Sequence, residues 1–301
     1  MKKRILVLGA TGMLGHMVYR ILAETGSIEV HGTHLGDRND PYYFDVGSGL
    51  RNLRKLCDQS LGYDYFINCI GMLAHKITLD DPISIRKAFQ LNALFPHELS
   101  SLAGERKAKV IHISTDGVFA GNAEYYDEDA LSDCTDFYGI SKSLGEVIDT
   151  HFLNLRCSIV GPSPIEKGGL WEWFLGQPDG AVVPGYANHI WHGVSTYQFA
   201  KLCLKIIEEN VFDGLREESW VFHFVPNAPV TKYELLFIFK EYFGKNVKIE
   251  ATKSDDVTHK RILHTKHEGL KKLYPSGLSA REMMSEFVSY INSSLKEKDS
   301  A

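Results

Sequence analysis

Long apolar runs are missing from this chain. Its hydrophobic stretches, such as residues 5–8 and 110–113, are strand-sized, far short of the ~20 residues a bilayer crossing requires. Lys2-Lys3-Arg4 precedes apolar residues, but glycines interrupt them at once and no small-residue cleavage pattern follows, so no signal peptide is read there. Basic clusters are missing too. With a net charge of −5 and scattered lysines and arginines, the chain has no electrostatic footprint for nucleic acid. Neither nucleic acid nor a membrane is expected as a partner. Cysteine is sparse: Cys57, Cys69, Cys134, Cys157 and Cys203 are odd in number, widely spaced and mostly set in apolar segments. That usage implies a reduced, cytoplasmic protein with no metal site.

What is there is globular. A hydrophobic content of 44% and a charged content of 24% are ordinary, and 301 residues suffice for one large α/β domain plus a smaller lobe. Residues 4–8 form an aliphatic run, followed by Gly9-Ala10-Thr11-Gly12-Met13-Leu14-Gly15 and then by Leu14, Met17, Val18, Ile21 and Leu22 at helical spacing. This reads as strand, tight glycine turn, helix. Glycines let the backbone approach a pyrophosphate, and the helix N-terminus offers unpaired N–H groups with a partial positive charge. Gly9, Thr11, Gly12, Met13, Leu14 and Gly15 are therefore candidate dinucleotide contacts.

Residues 28–33 read as the second strand. Its end carries Thr33, His34 and Arg38 where an NAD enzyme often places an acid for the ribose hydroxyls. That favours NADPH, with His34 and Arg38 as partners of the extra phosphate, while Asp37 between them leaves NADH open. Residues 50–61 look helical. Residues 65–71 form a buried third strand, ending in Cys69, Ile70 and Gly71, where small groups leave room for the cofactor's riboses. Asp81-Pro82 opens a long helix carrying Asn92, with Pro82 suited to its first turn. Residues 110–113 form the fourth strand and run into Ser114-Thr115-Asp116-Gly117. A hydroxyl at a strand's C-terminal edge can donate to a substrate carbonyl, and Thr115 is that candidate.

Tyr138 and Lys142 are four apart on a helix and so share a face. At ~5 Å and an effective dielectric of ~20, a lysine charge favours tyrosinate by about 3 kcal/mol, roughly two pKa units. A phenol acidified in this way can pass a proton to an alkoxide near neutral pH.

The glycine spacing resembles that of the extended short-chain dehydrogenase/reductases. Between Ser114 and Glu146 the sequence resembles the dTDP-4-dehydrorhamnose reductase family. The matching pieces are Ser114-Thr115-Asp116, Val118-Phe119, Gly121, Glu128-Asp129, Tyr138-Gly139-x-x-Lys142 and Gly145-Glu146, together with Asn68 and the glycine turn. The likeness is good over residues 1–160 and loose beyond. It implies a Rossmann-like doubly wound parallel sheet at residues 1–160, rejoined by residues 195–225, and an interleaved C-terminal substrate-binding lobe at residues 161–301. It also implies NAD(P)H-dependent reduction of the C4 keto group of a nucleoside-diphosphate 4-keto-6-deoxy sugar, in making a deoxysugar for surface polysaccharide. Tyr138 would donate the proton, Lys142 would tune it and hold the nicotinamide ribose, Thr115 would polarise the carbonyl, and Asp116 would orient the sugar. Asp45-Val46 would contact adenine, and Asn92 would order the lysine or merely sit on the helix surface.

Related 4,6-dehydratases follow their threonine with Asp-Glu; here Gly117 follows Asp116, which disfavours dehydration. The family's Ser-Trp pair after the fifth-strand arginine is replaced by Cys157-Ser158-Ile159. Some members dimerise through magnesium held by a first-helix glutamate. Met17 stands at that place, so the metal is not carried over and a homodimer is left open.

In the second lobe a short helix is read at 168–175, where Trp171 either stacks on substrate or packs the lobe. His189, Trp191 and His192 lie in a segment this class places at the sugar-nucleotide cleft, and Arg261 resembles a phosphate-pairing arginine. Helices are read at 197–208, 232–243 and 280–295, strands at 220–225 and 247–250, and a solvated tail at 296–301. Two rivals use the same residues: a nucleotide-sugar epimerase with tightly bound NAD, and a non-catalytic NADP-binding regulatory subunit.

Overall fold

Alternating apolar residues set the architecture. In a computed structural model describing residues 2–59, 62–165, 168–255 and 258–299, with side chains to residue 293, strand β1 (Lys3–Leu8) turns through Gly9 into helix α1 (Gly15–Glu24). There follow β2 (Ile28–Gly32), α2 (Arg51–Gln59), β3 (Tyr65–Asn68), α3 (Pro82–Phe89), α4 (Phe95–Arg106), β4 (Lys109–Ser114), α5 (Phe137–Leu144) and β5 (Phe152–Arg156). The helix expected at 50–61 is α2; positions 60 and 61 lie outside the described residues.

The second half adds β6 (Ser158–Val160), α6 (Leu170–Leu175), β7 (Val182–Tyr186), β8 (His189–Trp191), β9 (Gly193–Ser195), α7 (Thr196–Glu208), α8 (Phe212–Glu218) and β10 (Val221–His223). It closes with β11 (Val230–Thr231), α9 (Lys232–Phe243), β12 (Lys248–Thr252), β13 (His259–Lys260), α10 (Glu268–Leu273) and α11 (Ala280–Asp299). The tail expected from 296 is helical through Asp299, a continuation of α11; Ser300 and Ala301 lie outside the described residues.

Six parallel strands form the main sheet in the order β10-β5-β4-β3-β1-β2, the doubly wound arrangement. Both faces are buried. Ile5, Val7, Ile67, Ile111 and Leu153 join one core with α1 and α7, whereas Leu6, Leu8, Phe66, Val110 and Phe152 join the other with α2 and α4. A period of two with apolar residues on both sides is what a helix-covered parallel sheet requires. The chain reverses strand order between β1 and β3, so the carboxyl ends of β1, β3 and β4 open on one crevice.

The long helix is interrupted. A π-helical turn, Gln90–Leu94, separates α3 from α4. Pro96 has no N–H for the carbonyl of Asn92, so the ladder widens there. Gly145, just past α5, packs against that same carbonyl; a Cβ on Gly145 would lie 1.8 Å from the Asn92 oxygen.

The second half interleaves with the first. β10 pairs with β5, with His223 opposite Arg156. The sheet β11-β8-β13 sets Thr231 and Lys260 on either side of Ile190, and β12 pairs with β7. Among the described residues no helix is long and apolar enough to cross a membrane.

Candidate active site

The glycine turn is shaped by contact. Gly9 has φ +78°, its N–H donates to Thr33 Oγ1 at 3.0 Å, and a Cβ on Gly15 would lie 2.1 Å from the Gly9 oxygen. Neither position tolerates a larger residue. No side chain caps α1 and no acid lies in its first turn; the His16 and Met17 N–H groups already donate to the Gly12 and Leu14 carbonyls at 3.1 Å, so an anion is left to the N–H groups of the turn just before them. Gly12 is exposed, and the nearest atom to a Cβ there is the Gly9 oxygen at 3.4 Å. Leu14 is buried in the core and offers only backbone, while Thr11 and Met13 are half-buried on the turn. The turn fits a dinucleotide pyrophosphate.

Around it, Ile70 touches the place of a Gly9 Cβ at 3.0 Å, and its N–H donates to Asn68 Oδ1 at 3.1 Å. Asn68 in turn pairs with His112 Nδ1 at 3.0 Å across β3 and β4. The Cys69 thiol is pushed up to about 12 by burial, so it stays protonated and unreactive. Asn92 is fully buried rather than on the helix surface: its amide bonds Met72 N at 2.8 Å, Met72 O at 3.0 Å and Ser141 Oγ at 3.1 Å. It clips the loop holding Gly71 to α5, and its Oδ1 lies 3.2 Å from the place of a Gly71 Cβ. Asp45 accepts from Gly47 N at 2.9 Å, and Val46 is buried. At the end of β2, Arg38 is exposed, whereas His34 is engaged in its own loop, with Gly36 N at 3.1 Å and Asp40 Oδ1 at 3.3 Å.

Thr115 follows β4 and caps the short turn after it. Its Oγ1 accepts from Gly117 N at 3.0 Å and donates to Asp116 Oδ1 at 3.2 Å. Gly117 is where threonine and tyrosine converge: a Cβ there would stand 3.0 Å from the Tyr138 ring and 3.2 Å from Thr115 Oγ1. Lys142 is 4% exposed, and its Nζ donates to the Ile113 carbonyl at 2.6 Å.

The expectation of an acidified phenol is corrected. Burial pushes Tyr138 up to about 12, with the Thr115 hydroxyl pulling it down, the Asp116 charge pushing it up and Arg261 opposing. Lys142, drawn toward the Ile113 carbonyl, is itself lowered to about 8 by burial, with Glu146 the main force opposing the shift. Desolvation outweighs the pair attraction estimated for an exposed helix face.

Asp116 is raised by burial and opposed first by Arg261, with Lys232 a further opposing charge. Arg261 Nε donates to the Phe119 carbonyl at 2.6 Å. Lys232, the first residue of α9, is lowered by burial, with Asp116 raising it. Two cations thus act on one half-buried carboxylate. Lys232 was not legible as a site residue: the Thr231/Glu234 capping box marks where its helix starts, but not what the helix points at. His189 stacks on Tyr186 at 4.8 Å and bonds Ser254 Oγ at 2.7 Å, and Lys232 is among the charges it feels.

Three expected substrate contacts are corrected. Trp171 is 5% exposed, its ring against Phe239, Phe243 and Phe287, which leaves no face for a sugar. Trp191 is 7% exposed and donates its indole N–H to Ser158 Oγ at 3.0 Å. His192 uses both ring nitrogens internally, with Asn227 O at 2.7 Å and Leu263 N at 3.2 Å.

A parallel sheet with an open glycine turn and a Tyr–Lys helix facing a strand-end threonine defines the short-chain dehydrogenase/reductase architecture. Within it, the family model described as the RmlD substrate binding domain matches residues 2–160, and the chain belongs to that family. It is 31% identical over 148 residues to dTDP-4-dehydrorhamnose reductase of Escherichia coli K12, across 47% of this chain. That match spans 45% of the relative, a little under half its length. A second relative, methionine adenosyltransferase 2 subunit beta of Xenopus tropicalis, is 25% identical over 257 residues, 80% of this chain and 72% of that protein. Among solved structures, a dTDP-4-dehydrorhamnose reductase from Bacillus anthracis in complex with NADP superposes with a TM-score of 0.73. Its identity is 16%, with 95% of this chain and 99% of that one covered.

Proposed function

We propose that this chain is an NADPH-dependent reductase, accepting NADH less well, that converts the C4 ketone of a nucleoside-diphosphate 4-keto-6-deoxy sugar to the alcohol in deoxysugar synthesis for a surface polysaccharide. The observation that carries this reading is the convergence of Thr115 and Tyr138 over Gly117 at the carboxyl edge of the sheet that bears the glycine turn. The E. coli relative's name and the NADP in the Bacillus structure support the substrate class and the cofactor.

The residues present fit a dinucleotide: the turn from Gly9 to Gly15 would hold its pyrophosphate, Asp45 and Val46 its adenine, and exposed Arg38 a 2′-phosphate. Bound, it would supply a hydride to the ketone carbon. Everything else is asked of the protein. Thr115 holds the ketone oxygen by a hydrogen bond, and Tyr138, protonated at neutral pH, gives its proton to that oxygen as it becomes an alkoxide. The tyrosinate left behind is stabilised by the Lys142 ammonium. Lys232 and Arg261 hold the substrate diphosphate, and Asp116 between them orients the sugar.

NADPH absorbance that falls when a mixed pool of 4-keto nucleotide sugars is added is the expected result; an unchanged absorbance with every sugar in the pool would refute the reading. The Xenopus relative favours a second reading, a cofactor-bound regulatory subunit. Under that reading NADPH binds and none is consumed.

A further inference from the structure

Behind Thr115 lies a buried charged network the mechanism has not used. Glu146, 8% exposed, receives both Nε and Nη2 of Arg156 at 2.7 Å and the Ser114 hydroxyl at 2.5 Å. Arg156 Nη1 also meets His223 Nε2 at 3.2 Å, and His223 Nδ1 meets the His264 carbonyl at 2.9 Å. Arg156 is the last residue of β5 and lies opposite both Ser114 of β4 and His223 of β10, so one carboxylate gathers the ends of adjacent strands. Lys142 Nζ meanwhile grips the carbonyl of Ile113. The two residues immediately before Thr115 are thus held from the α5 side by Lys142 and Glu146.

We propose that Glu146 is a positioning residue of this site: its carboxylate orders the strand end at Thr115 through Ser114 and supplies the countercharge that keeps the Lys142 ammonium charged. A merely structural ion pair would fix the strands and leave the lysine alone. The groups around Lys142 single out Glu146. From its own segment Glu146 favours the charged form, as do the thiols Cys157 from the end of β5 and Cys69 from the end of β3. Both thiols are raised by burial and neutral near pH 7, and His112 of β4 is lowered and uncharged. Among the described residues, Glu146 is the one carboxylate acting on Lys142. The inference rests on the reductase reading for its consequence, and its test does not.

The test is an Nζ-selective NMR titration of Lys142 in the ligand-free chain, wild type against Glu146→Gln. The midpoint is expected to fall by about one pH unit in the variant. The alkaline limb of the turnover profile should fall with it, because fewer lysines stay charged at neutral pH. If E146Q does not fold, as judged by circular dichroism, the double variant E146Q/R156Q removes the unpaired guanidinium and should move the midpoint in the same direction. A Lys142 midpoint equal to wild type in the folded variant would overturn the proposal. Because the titration needs neither substrate nor cofactor, its failure leaves the reductase reading standing, and a wild type that consumes no NADPH leaves the titration interpretable.

Discussion

Tyr138 keeps its proton well past neutral pH, and the proposed proton donation needs that. A phenol that burial pushes up to about 12 carries its proton at neutral pH and can give it to an alkoxide, the role the reductase reading asks of it. Tyr138→Phe removes the proton and little else. Turnover is expected to drop at least about a hundredfold, while NADPH binding followed by fluorescence changes less than about twofold. Retained turnover would remove Tyr138 from the mechanism. Lys232 belongs to a different step. It faces Asp116 and Arg261 rather than the tyrosine, so Lys232→Ala should raise KM for the nucleotide sugar about tenfold and leave kcat nearly unchanged, the loss of roughly 1.4 kcal/mol of binding. A fall in kcat with KM unchanged would place that ammonium at the chemistry instead.

At the scale of elements, much could be read before any coordinates. β1, the glycine turn and α1 follow from an aliphatic run, three glycines and apolar residues at helical spacing, and α9 occupies its expected range of 232–243. What periodicity cannot tell is what an apolar stripe packs against. Trp171 reads as a stacking platform or as packing for the lobe, and Trp191 as a substrate contact; both rings are buried in the structure. His192 reads as a cleft residue because its partners, Asn227 and Leu263, are distant in sequence. The π-helical turn was hidden for a similar reason, since a proline inside a helix signals a lost hydrogen bond but not that Gly145 approaches the freed carbonyl.

Truncating Trp171 to alanine should therefore cost about 3–5 kcal/mol in urea unfolding with KM for the nucleotide sugar unchanged. A raised KM with native stability would return the ring to the substrate. Glycines sort in the same way. Gly145→Ala forces a Cβ against the Asn92 backbone and should cost about 2–3 kcal/mol. Gly214→Ala, in α8 with nothing within 4 Å of the new methyl, should stabilise by about 0.5–1 kcal/mol. Equal effects of the two would mean that close backbone approach is not what holds α5 to the π-helical turn.

Across the whole molecule, burial of polar rings sets the response to acid. His112, His192 and His223 are all enclosed, and burial is the first cause lowering each of them: His192 to about 4, His223 to about 3 and His112 well below its usual value. The unfolded chain takes up those protons near pH 6.5, whereas the native chain does not until the pH is much lower. Between those limits the unfolded state binds more protons, so native stability is full above about pH 6.5 and is lost as the pH falls, by about 1.4 kcal/mol per unit for each imidazole. Asp116, raised by burial, works in the opposite direction, whereas His16, His31 and His189, also lowered first by burial, add to the effect of the three. Each of the three enclosed histidines should account for about 2 kcal/mol by pH 5, read as the drop in unfolding free energy from urea curves at pH 7.5 and pH 5. His192→Gln keeps an amide able to meet Asn227 but carries no proton to gain, so its stability, lower overall, should fall less steeply with acid by one histidine's share. Parallel pH dependences for the variant and the wild type would show that His192 is not held neutral by the fold and that its share of the acid response belongs to other groups.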